Sequence, residues 1–167
     1  MGNRPVVILS GGTTTSALTP LLLGKYDLVI LDQAVGETQH QKYGEKVLSF
    51  MSLLSEETQV QAHNEAIRRV IPLFHNWQER WHQQWEQLEF CREFDVDQMI
   101  QQMDSWFYSF TLSNLTRQLL RGFAINAICD QRDVALLVTH EDVKEVLGGM
   151  TMWAKQKGIR TLHVPHA

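Results

Sequence analysis

The hydrophobic pattern is most regular near the carboxyl end of the chain. An unbroken apolar run within Asp133–His140 predicts a strand that is buried on both faces. Apolar residues at three- and four-residue steps then predict a helix over Glu141–Lys157, which Gly158 ends. Ile159–Val164 predicts another strand. A strand, a helix and a strand of these lengths form a βαβ unit over residues 133–167, so the two strands should be parallel.

A similar unit is predicted at the start of the chain, over residues 5–32. Its two strands are Pro5–Leu9 and Tyr26–Leu31. A short helix over Ala17–Leu23 lies between them. Pro20 is tolerated only in the first turn of a helix, so this helix is expected to start late. A hydroxyl group within Thr13–Ser16 is expected to cap it.

Between the two units, over residues 37–130, strand signals nearly vanish and helical periodicity takes over. Helices are predicted over Gly44–Leu54, Glu56–Leu88 and Val96–Ile128. Pro72 is expected to kink the second of these helices or to divide it. The region is therefore predicted to be a large helical insertion between two parts of one sheet.

Together these elements predict an α/β fold, a Rossmann-like three-layer sandwich around a small parallel sheet of about four strands. A chain of 167 residues can form one such domain with its own core, and we expect a single domain over residues 1–167. Val6–Leu9 and Val134–Val138 are expected to lie side by side in the middle of the sheet. The topological switch point, where open α/β sheets bind ligands, would then lie between Gly11 and His140.

Composition and charge narrow the classes of function. The formal net charge of −4 argues against a general nucleic-acid binder, because such proteins need an excess of Lys and Arg. The apolar runs are too short to span a bilayer, so no transmembrane segment is expected. The two cysteines, Cys91 and Cys129, have no metal or redox spacing. A cytoplasmic location is therefore expected.

Polar residues gather in the loops that follow the predicted strands. In the first loop, Gly11 and Gly12 precede Thr13 and Thr14 at the start of a helix, where backbone amides could hold an anion. A plain turn with a hydroxyl cap explains the same residues without a ligand, and it is the favoured interpretation. The full polar set expected at this edge comprises Thr13, Thr14, Thr15, Asp32, Glu37, His140, Glu141, Asp142 and His166.

A metal site is a second interpretation of these residues. His140, His163 and His166 lie near two carboxylates, Glu141 and Asp142, and such groups can bind zinc. Their spacing matches no zinc motif, so we favour a capping cluster together with a buried, hydrogen-bonded His163 in the last strand. No metal and no cofactor are therefore predicted.

Trp77, Trp81 and Trp85 recur every four residues and line one face of a predicted helix. One interpretation is an aromatic platform for a sugar or a partner. The other, which we favour, is packing against the sheet or a neighbouring helix, because this periodicity usually marks buried surface. If the stripe is partly exposed, it would form a homodimer face.

The residues from 157 to 166 read Lys-Gly-Ile-Arg-Thr-Leu-His-Val-Pro-His and follow a predicted strand and helix. This ending resembles the amino-terminal domain of bacterial GT-B glycosyltransferases that act on surface polysaccharides and cell-wall polymers. In that family the helix ends in Gly-Ile-Pro, and a His, often followed by Gly, comes after the next strand. Gly158, Ile159 and His166 match, whereas Arg160 replaces the Pro and Ala167 replaces the Gly. The Gly11-Gly12 loop also resembles the first loop of that fold.

The resemblance implies the acceptor-binding part of an enzyme that transfers a sugar from a nucleotide-sugar donor. The acceptor would be a glycan or a lipid-linked molecule, and a separate carboxyl-terminal domain would bind the donor. The chain would then be a fragment of a longer protein and inactive alone. His166 would be the catalytic residue, orienting an acceptor hydroxyl or the donor phosphate. The implied substrate-binding residues are Gly11, Gly12, Thr13, Thr14, His140 and Glu141.

Two other functions remain open on the sequence alone. The first is a non-catalytic Rossmann-like module that binds a nucleotide or a small anion through the Gly-Gly-Thr loop. The second is a helical dimerisation or interaction module that uses the tryptophan stripe as its contact surface. Bound nucleotide in the purified protein would indicate the first, and a concentration-dependent dimer would indicate the second.

Overall fold

A computed structural model of the chain describes residues 4–10, 13–87, 96–140 and 151–164. The strands found there are β1 (Val6–Leu9), β2 (Asp27–Ile30), β3 (Val47–Ser49), β4 (Val134–His140) and β5 (Thr161–Val164). The α-helices are α1 (Thr13–Leu22), α2 (Gln33–Tyr43), α3 (Glu56–Glu86), α4 (Val96–Gln131) and α5, which is described over residues 151–156. Short 3-10 helices, Gly44–Lys46 and Phe50–Leu53, flank β3.

The strands form one all-parallel sheet with the order β3-β2-β1-β4-β5. The central strand is β1, and all four of its residues are buried, as expected for a parallel strand that is covered on both faces. The predicted placement of β1 beside β4 is confirmed, because Ile8 pairs with Leu137 and Leu9 pairs with Val138.

Within the described residues the sheet has five strands, whereas the sequence predicted about four. The additional strand is β3, and it lies inside Gly44–Leu54, which was predicted to be a helix. Val47 and Ser49 are buried where β3 pairs with β2. Tertiary pairing overrides the helical spacing here, and a three-residue strand is too short to show an alternating pattern of its own. The packing is also close, because a Cβ atom added at Gly36 of α2 would lie 3.1 Å from the Ser49 backbone.

Helices cover both faces of the sheet. On one face the apolar cluster contains Val7 and Leu9 of β1 with Leu18 and Leu22 of α1, and Val35 of α2 packs against it. On the other face, Val6, Ile8 and Leu137 of the sheet pack with Ala124, Ile125 and Ile128 of α4 and Ala154 of α5. The alternation of β1 side chains between the two clusters is that of an extended strand. This three-layer arrangement is compatible with a Rossmann-like fold.

Pro20 and Pro72 both lie inside helices, although Pro20 was expected only in a first turn. Helix α1 begins at Thr13, so Pro20 is in its last turn, and the predicted late start of this helix is wrong. Pro20 has no backbone N–H to donate to the carbonyl of Ser16, so α1 lacks that one helical hydrogen bond. Pro72 does not divide α3, which runs unbroken over 31 residues.

Helix α5 ends where the sequence predicted. Gly158 has a φ angle of 71°, a left-handed conformation that glycine adopts without a steric penalty. The first part of the predicted helix, residues 141–150, lies outside the described residues. The strand after Gly158 is slightly shorter than predicted, because β5 begins at Thr161.

The chain divides into two compact units, one made of Met1–Gln59 with Leu120–Ala167 and the other of Val60–Leu119. In the second unit the Trp77 ring stacks on Phe107 of α4, with 4.3 Å between ring centroids and 5° between planes. Trp81 stacks on Trp77 in turn. The favoured interpretation, packing against a neighbouring helix, therefore holds for Trp77, while the side chain of Trp85 lies outside the described part.

Polar contacts join the same two helices within the second unit. Gln78 Nε2 donates to Asp104 Oδ2 at 2.6 Å, and His82 Nε2 lies 3.3 Å from the same oxygen. Although α3 and α4 are long, no helix in the described part of the chain is apolar enough along its length to cross a membrane.

Candidate functional site at the carboxyl edge of the sheet

The carboxyl ends of the three central strands are joined by backbone hydrogen bonds. Ser10 N, just after β1, donates to Val138 O of β4 at 2.9 Å. Leu31 N, just after β2, donates to Leu9 O of β1 at 2.8 Å. The ends of β1, β2 and β4 are therefore level with one another and form one edge.

The helices that come after β1 and after β4 pack on opposite faces of the sheet. Helix α1, which follows β1, packs on the face that contains Leu9. Helix α5, which lies between β4 and β5, packs through Ala154 on the face that contains Ile8. This reversal is a topological switch point, and open α/β sheets bind ligands outside the carboxyl ends of the strands at such a point.

The predicted site residues fall only partly within the described structure. His140 is the last residue of β4 and pairs with Val164 of β5. Thr13 and Thr14 are the first two residues of α1, directly after the loop that leaves β1. The other predicted site residues lie outside the described residues; they are Gly11, Gly12, Glu141, Asp142 and His166. The assignment of these residues to a binding site stays a prediction.

Several residues expected in the edge loops have other roles. Asp32 is the N-cap of α2, and its Oδ1 accepts a hydrogen bond from Val35 N at 3.0 Å. Glu37 lies within α2, where it accepts a hydrogen bond from Gln33. Thr15 is buried within α1. The expected loop after β2 is short because aspartate is a favourable N-cap and starts the helix at once.

His163 is exposed, so the prediction that it is buried is wrong, although it is hydrogen-bonded as expected. It lies opposite Thr139 in the β4–β5 pair, and His163 Nδ1 is 2.9 Å from Thr139 Oγ1. Thr139 itself is only 2% exposed. His163 is exposed, and not buried as predicted, because β5 is the last strand in the sheet order. The bond orients the imidazole, whose Nε2 is a donor in one tautomer and an acceptor in the other.

Sequence reasoning missed Arg121, which lies in α4. Its Nε donates to Leu31 O at 3.0 Å, at the carboxyl end of β2. A guanidinium group here adds positive charge and directional donors to the edge. The sequence carries no local signal for this role, because it depends on which face of α4 meets the sheet.

The position of Arg121 is linked to a close helix contact at the next residue. A Cβ atom added at Gly122 would lie 0.8 Å from Trp153 Cζ3 of α5, so the indole occupies the space next to the bare backbone. Glycine is required at this position for α4 and α5 to approach as they do. The contact therefore helps to set where α4 presents Arg121 at the edge.

The described side chains near this edge are suited to hydrogen bonding. They are Ser10, Asp32, Arg121, Thr139 and His163. Of these, the exposed imidazole of His163 is the group most accessible to a ligand, because Ser10 and Thr139 are buried and Asp32 caps α2. In the described ranges no group of three His, Cys, Asp or Glu residues is arranged to hold a metal ion.

Burial raises the pKa of the Cys129 thiol, so this cysteine stays protonated and is a poor nucleophile.

Comparison with known proteins found no matching family model, no matching curated protein and no matching solved structure.

Proposed function

We propose that the chain is the acceptor-binding amino-terminal domain of a GT-B type glycosyltransferase, with its ligand at the carboxyl edge between β1 and β4. The observation that carries the proposal is the switch point in the order β3-β2-β1-β4-β5. It lies beside Ser10 and His140, where the sequence resemblance expects the substrate. A parallel sheet with helices on both faces is also compatible with the Rossmann-like domains of GT-B enzymes.

In this proposal His166 is the catalytic residue. Strand β5 ends at Val164, two residues before His166 in the sequence, and Val164 pairs with His140 at the end of β4. An imidazole in this position would orient an acceptor hydroxyl or stabilise charge on the donor phosphate. Gly11, Gly12 and the start of α1 would supply backbone amides to the same ligand.

Arg121 and His163 extend the proposed site on the face that α4 covers. Arg121 brings a positive charge to the end of β2, and His163 brings an oriented imidazole to β5. The nucleotide-sugar donor would be bound mainly by a second domain, so this chain alone would bind acceptor without transferring sugar. A cytoplasmic location is part of the proposal, because the donor would be met there.

Binding measured by NMR tests the proposal directly. The ¹⁵N-labelled chain would be titrated with neutral oligosaccharides as acceptor analogues and, separately, with UDP-glucose. We expect an oligosaccharide to shift the backbone amides of Ser10, His140 and Val164, which lie at the edge. Replacement of His166 by Ala should weaken this binding, whereas the matched change His75→Ala, at an exposed position of α3, should not.

Three results would contradict the proposal. Sugar transfer by this chain alone would show that it does not need a second domain. Shifts at the edge with UDP-glucose and with inorganic phosphate, but with no oligosaccharide, would favour the nucleotide- or anion-binding module. Shifts that are confined to residues away from the edge would remove the assignment of the site.

A further inference from the structure

Two aromatic rings on α4 lie on the outside of the second unit. Trp106 and Phe110 are one helical turn apart, with 5.1 Å between ring centroids and 13° between planes. They are 63% and 55% exposed. Their neighbours Phe107 and Tyr108 contact Trp77 and Phe74 of α3 instead. The exposed pair is therefore not used in the packing between α3 and α4.

An open depression of about 480 Å³ lies beside the exposed pair. Its lining residues all come from one face of α4 and are Gln98, Gln101, Gln102, Ser105, Trp106 and Ser109. It is shallow and open to solvent, so a ligand would lie across it and not inside it. The lining consists of three carboxamides, two hydroxyl groups and one indole, and none of these six side chains is charged.

This combination of groups matches the surface of an uncharged sugar. Carboxamides and hydroxyl groups both donate and accept hydrogen bonds, as sugar hydroxyl groups also do. A flat aromatic face offers apolar area to the C–H face of a sugar ring. A phosphate or a carboxylate would find no cation among the lining residues to pair with.

We propose that this Trp106 surface, made of the six lining residues and Phe110, binds a neutral glycan. A protein that covered the aromatic pair would also have to supply partners for three glutamines, since unpaired amides are costly to bury. For the stripe of Trp77, Trp81 and Trp85, an aromatic platform was the less favoured of two interpretations, and packing was the favoured one. The structure stacks Trp77 against Phe107 and exposes Trp106. This inference does not rest on the proposed function, because the surface lies in the other unit.

The test follows the tryptophan indole N–H signals of the ¹⁵N-labelled full chain by NMR. The chain has five tryptophans, so Trp106→Phe identifies the Trp106 signal by removing it. The probes are glucose, galactose, N-acetylglucosamine, maltotetraose and cellotetraose. We expect at least one tetrasaccharide to shift the Trp106 signal to saturation. The affinity should be the same in about 0.05 M and about 0.5 M NaCl, because screening does not affect an uncharged ligand.

Variants separate the aromatic contact from the amide contacts. Trp106→Ala and Trp106→Phe remove the indole signal, so the backbone amide of Ser109, another lining residue, reports binding in these variants. Trp106→Ala should weaken binding by about tenfold, since an aromatic contact of this kind contributes about that factor. Trp106→Phe keeps a ring and should weaken binding less. Gln101→Ala should also weaken binding, whereas Gln83→Ala changes an exposed glutamine of α3 outside the surface and should have no effect.

Each alternative occupant gives a different result, and each result would overturn the proposal. A Trp106 signal that none of the five sugars shifts would exclude a neutral glycan. A shift on raising the protein concentration without sugar would indicate a second copy of the chain. A shift caused by UDP-glucose or by anionic phosphatidylglycerol vesicles, and lost at high salt, would indicate a charged ligand. The backbone amides at the sheet edge report ligand binding there independently of the Trp106 signal. A failure of glycan binding at the Trp106 surface is therefore distinguishable from a failure of the proposed function.

Discussion

Replacement of Gly122 by Ala tests the contact that holds α4 against α5. The new methyl group would lie 0.8 Å from Cζ3 of Trp153 and 1.8 Å from Cε3 and Cη2 of the same ring. No rotation of a methyl group relieves such an overlap, so the indole must move. Because Arg121 is the preceding residue, a shift of α4 would also disturb its hydrogen bond to Leu31 O.

The expected change in stability is a difference between two opposing effects. A tryptophan side chain buries about 150–250 Å², and Trp153 is half-buried, so its displacement exposes about 100 Å². At about 25 cal/mol per Å² this costs about 2.5 kcal/mol. Alanine favours a helix over glycine by about 1 kcal/mol, which offsets part of that cost. Gly122→Ala should therefore lower the free energy of unfolding by about 1.5 kcal/mol.

A double-mutant cycle with Trp153→Ala isolates the contact. Without the indole the new methyl group has space, so Gly122→Ala should then raise the free energy of unfolding by about 1 kcal/mol. The matched control is Gly24→Ala, because a Cβ atom there meets nothing within 4 Å. Urea unfolding followed by circular dichroism at the helical band measures the four proteins of the cycle and the control without depending on tryptophan fluorescence.

The decisive result is whether Gly122→Ala lowers the free energy of unfolding when the Trp153 ring is present and raises it when the ring is absent. If Gly122→Ala has the same effect with and without the Trp153 ring, the contact is not the reason for glycine at this position. A large change in the denaturant slope of one variant would mean that the two compact units unfold separately, and the comparison would then be made on the transition of the sheet-containing unit.

Three further predictions concern other parts of the sheet-containing unit. Arg132 Nη2 lies 2.6 Å from Asp27 Oδ2, and both side chains are mostly buried. Arg132→Ala should therefore lower the free energy of unfolding, measured by urea titration, by about 3 kcal/mol. A loss below about 0.5 kcal/mol would mean that this ion pair does not stabilise the fold. Asp32→Ala removes the cap of α2 and should lower the free energy of unfolding, measured in the same way, by about 1 kcal/mol. Asp32→Asn should keep most of this stability, because asparagine also caps helices. Burial raises the pKa of Cys129 in the folded state, so in a Cys91→Ser background its alkylation by iodoacetamide should be slower at about pH 8 than that of a small thiol. An alkylation rate equal to that of the small thiol would contradict the raised pKa of Cys129. Because the pKa of Cys129 is higher in the folded state than in the unfolded state, the stability that this group contributes is present below the unfolded pKa and declines as the pH rises through the folded pKa.

Much of the fold could be predicted because its signals are local. The apolar runs that became β1, β2 and β4 are short and unbroken, and parallel pairing follows from the βαβ connections. The two long helices showed their period over many residues. Aspartate is also a favourable helix cap, although Asp32 was predicted to lie in a loop and not at the start of α2.

The candidate site could be predicted less well than the fold. The edge and its switch point follow from the strand order, and the position of His140 at the end of β4 agrees with the sequence. The exposure of His163 was misjudged because burial depends on which strand lies at the end of the sheet. Arg121 was not found at all, because its partner Leu31 is 90 residues away in the chain.

By itself, the sequence determined the α/β class, the strands β1, β2 and β4 and the two long helices α3 and α4, since these depend on local hydrophobic spacing. Only the tertiary structure decided that β3 is a strand, that the Trp153 ring lies against Gly122, and that Trp106 is exposed while Trp77 packs against Phe107. The physical reason is the same in each case. These features depend on which faces meet between segments that are distant in the chain, and an aromatic residue at helical spacing has the same pattern whether its face meets another helix or the solvent.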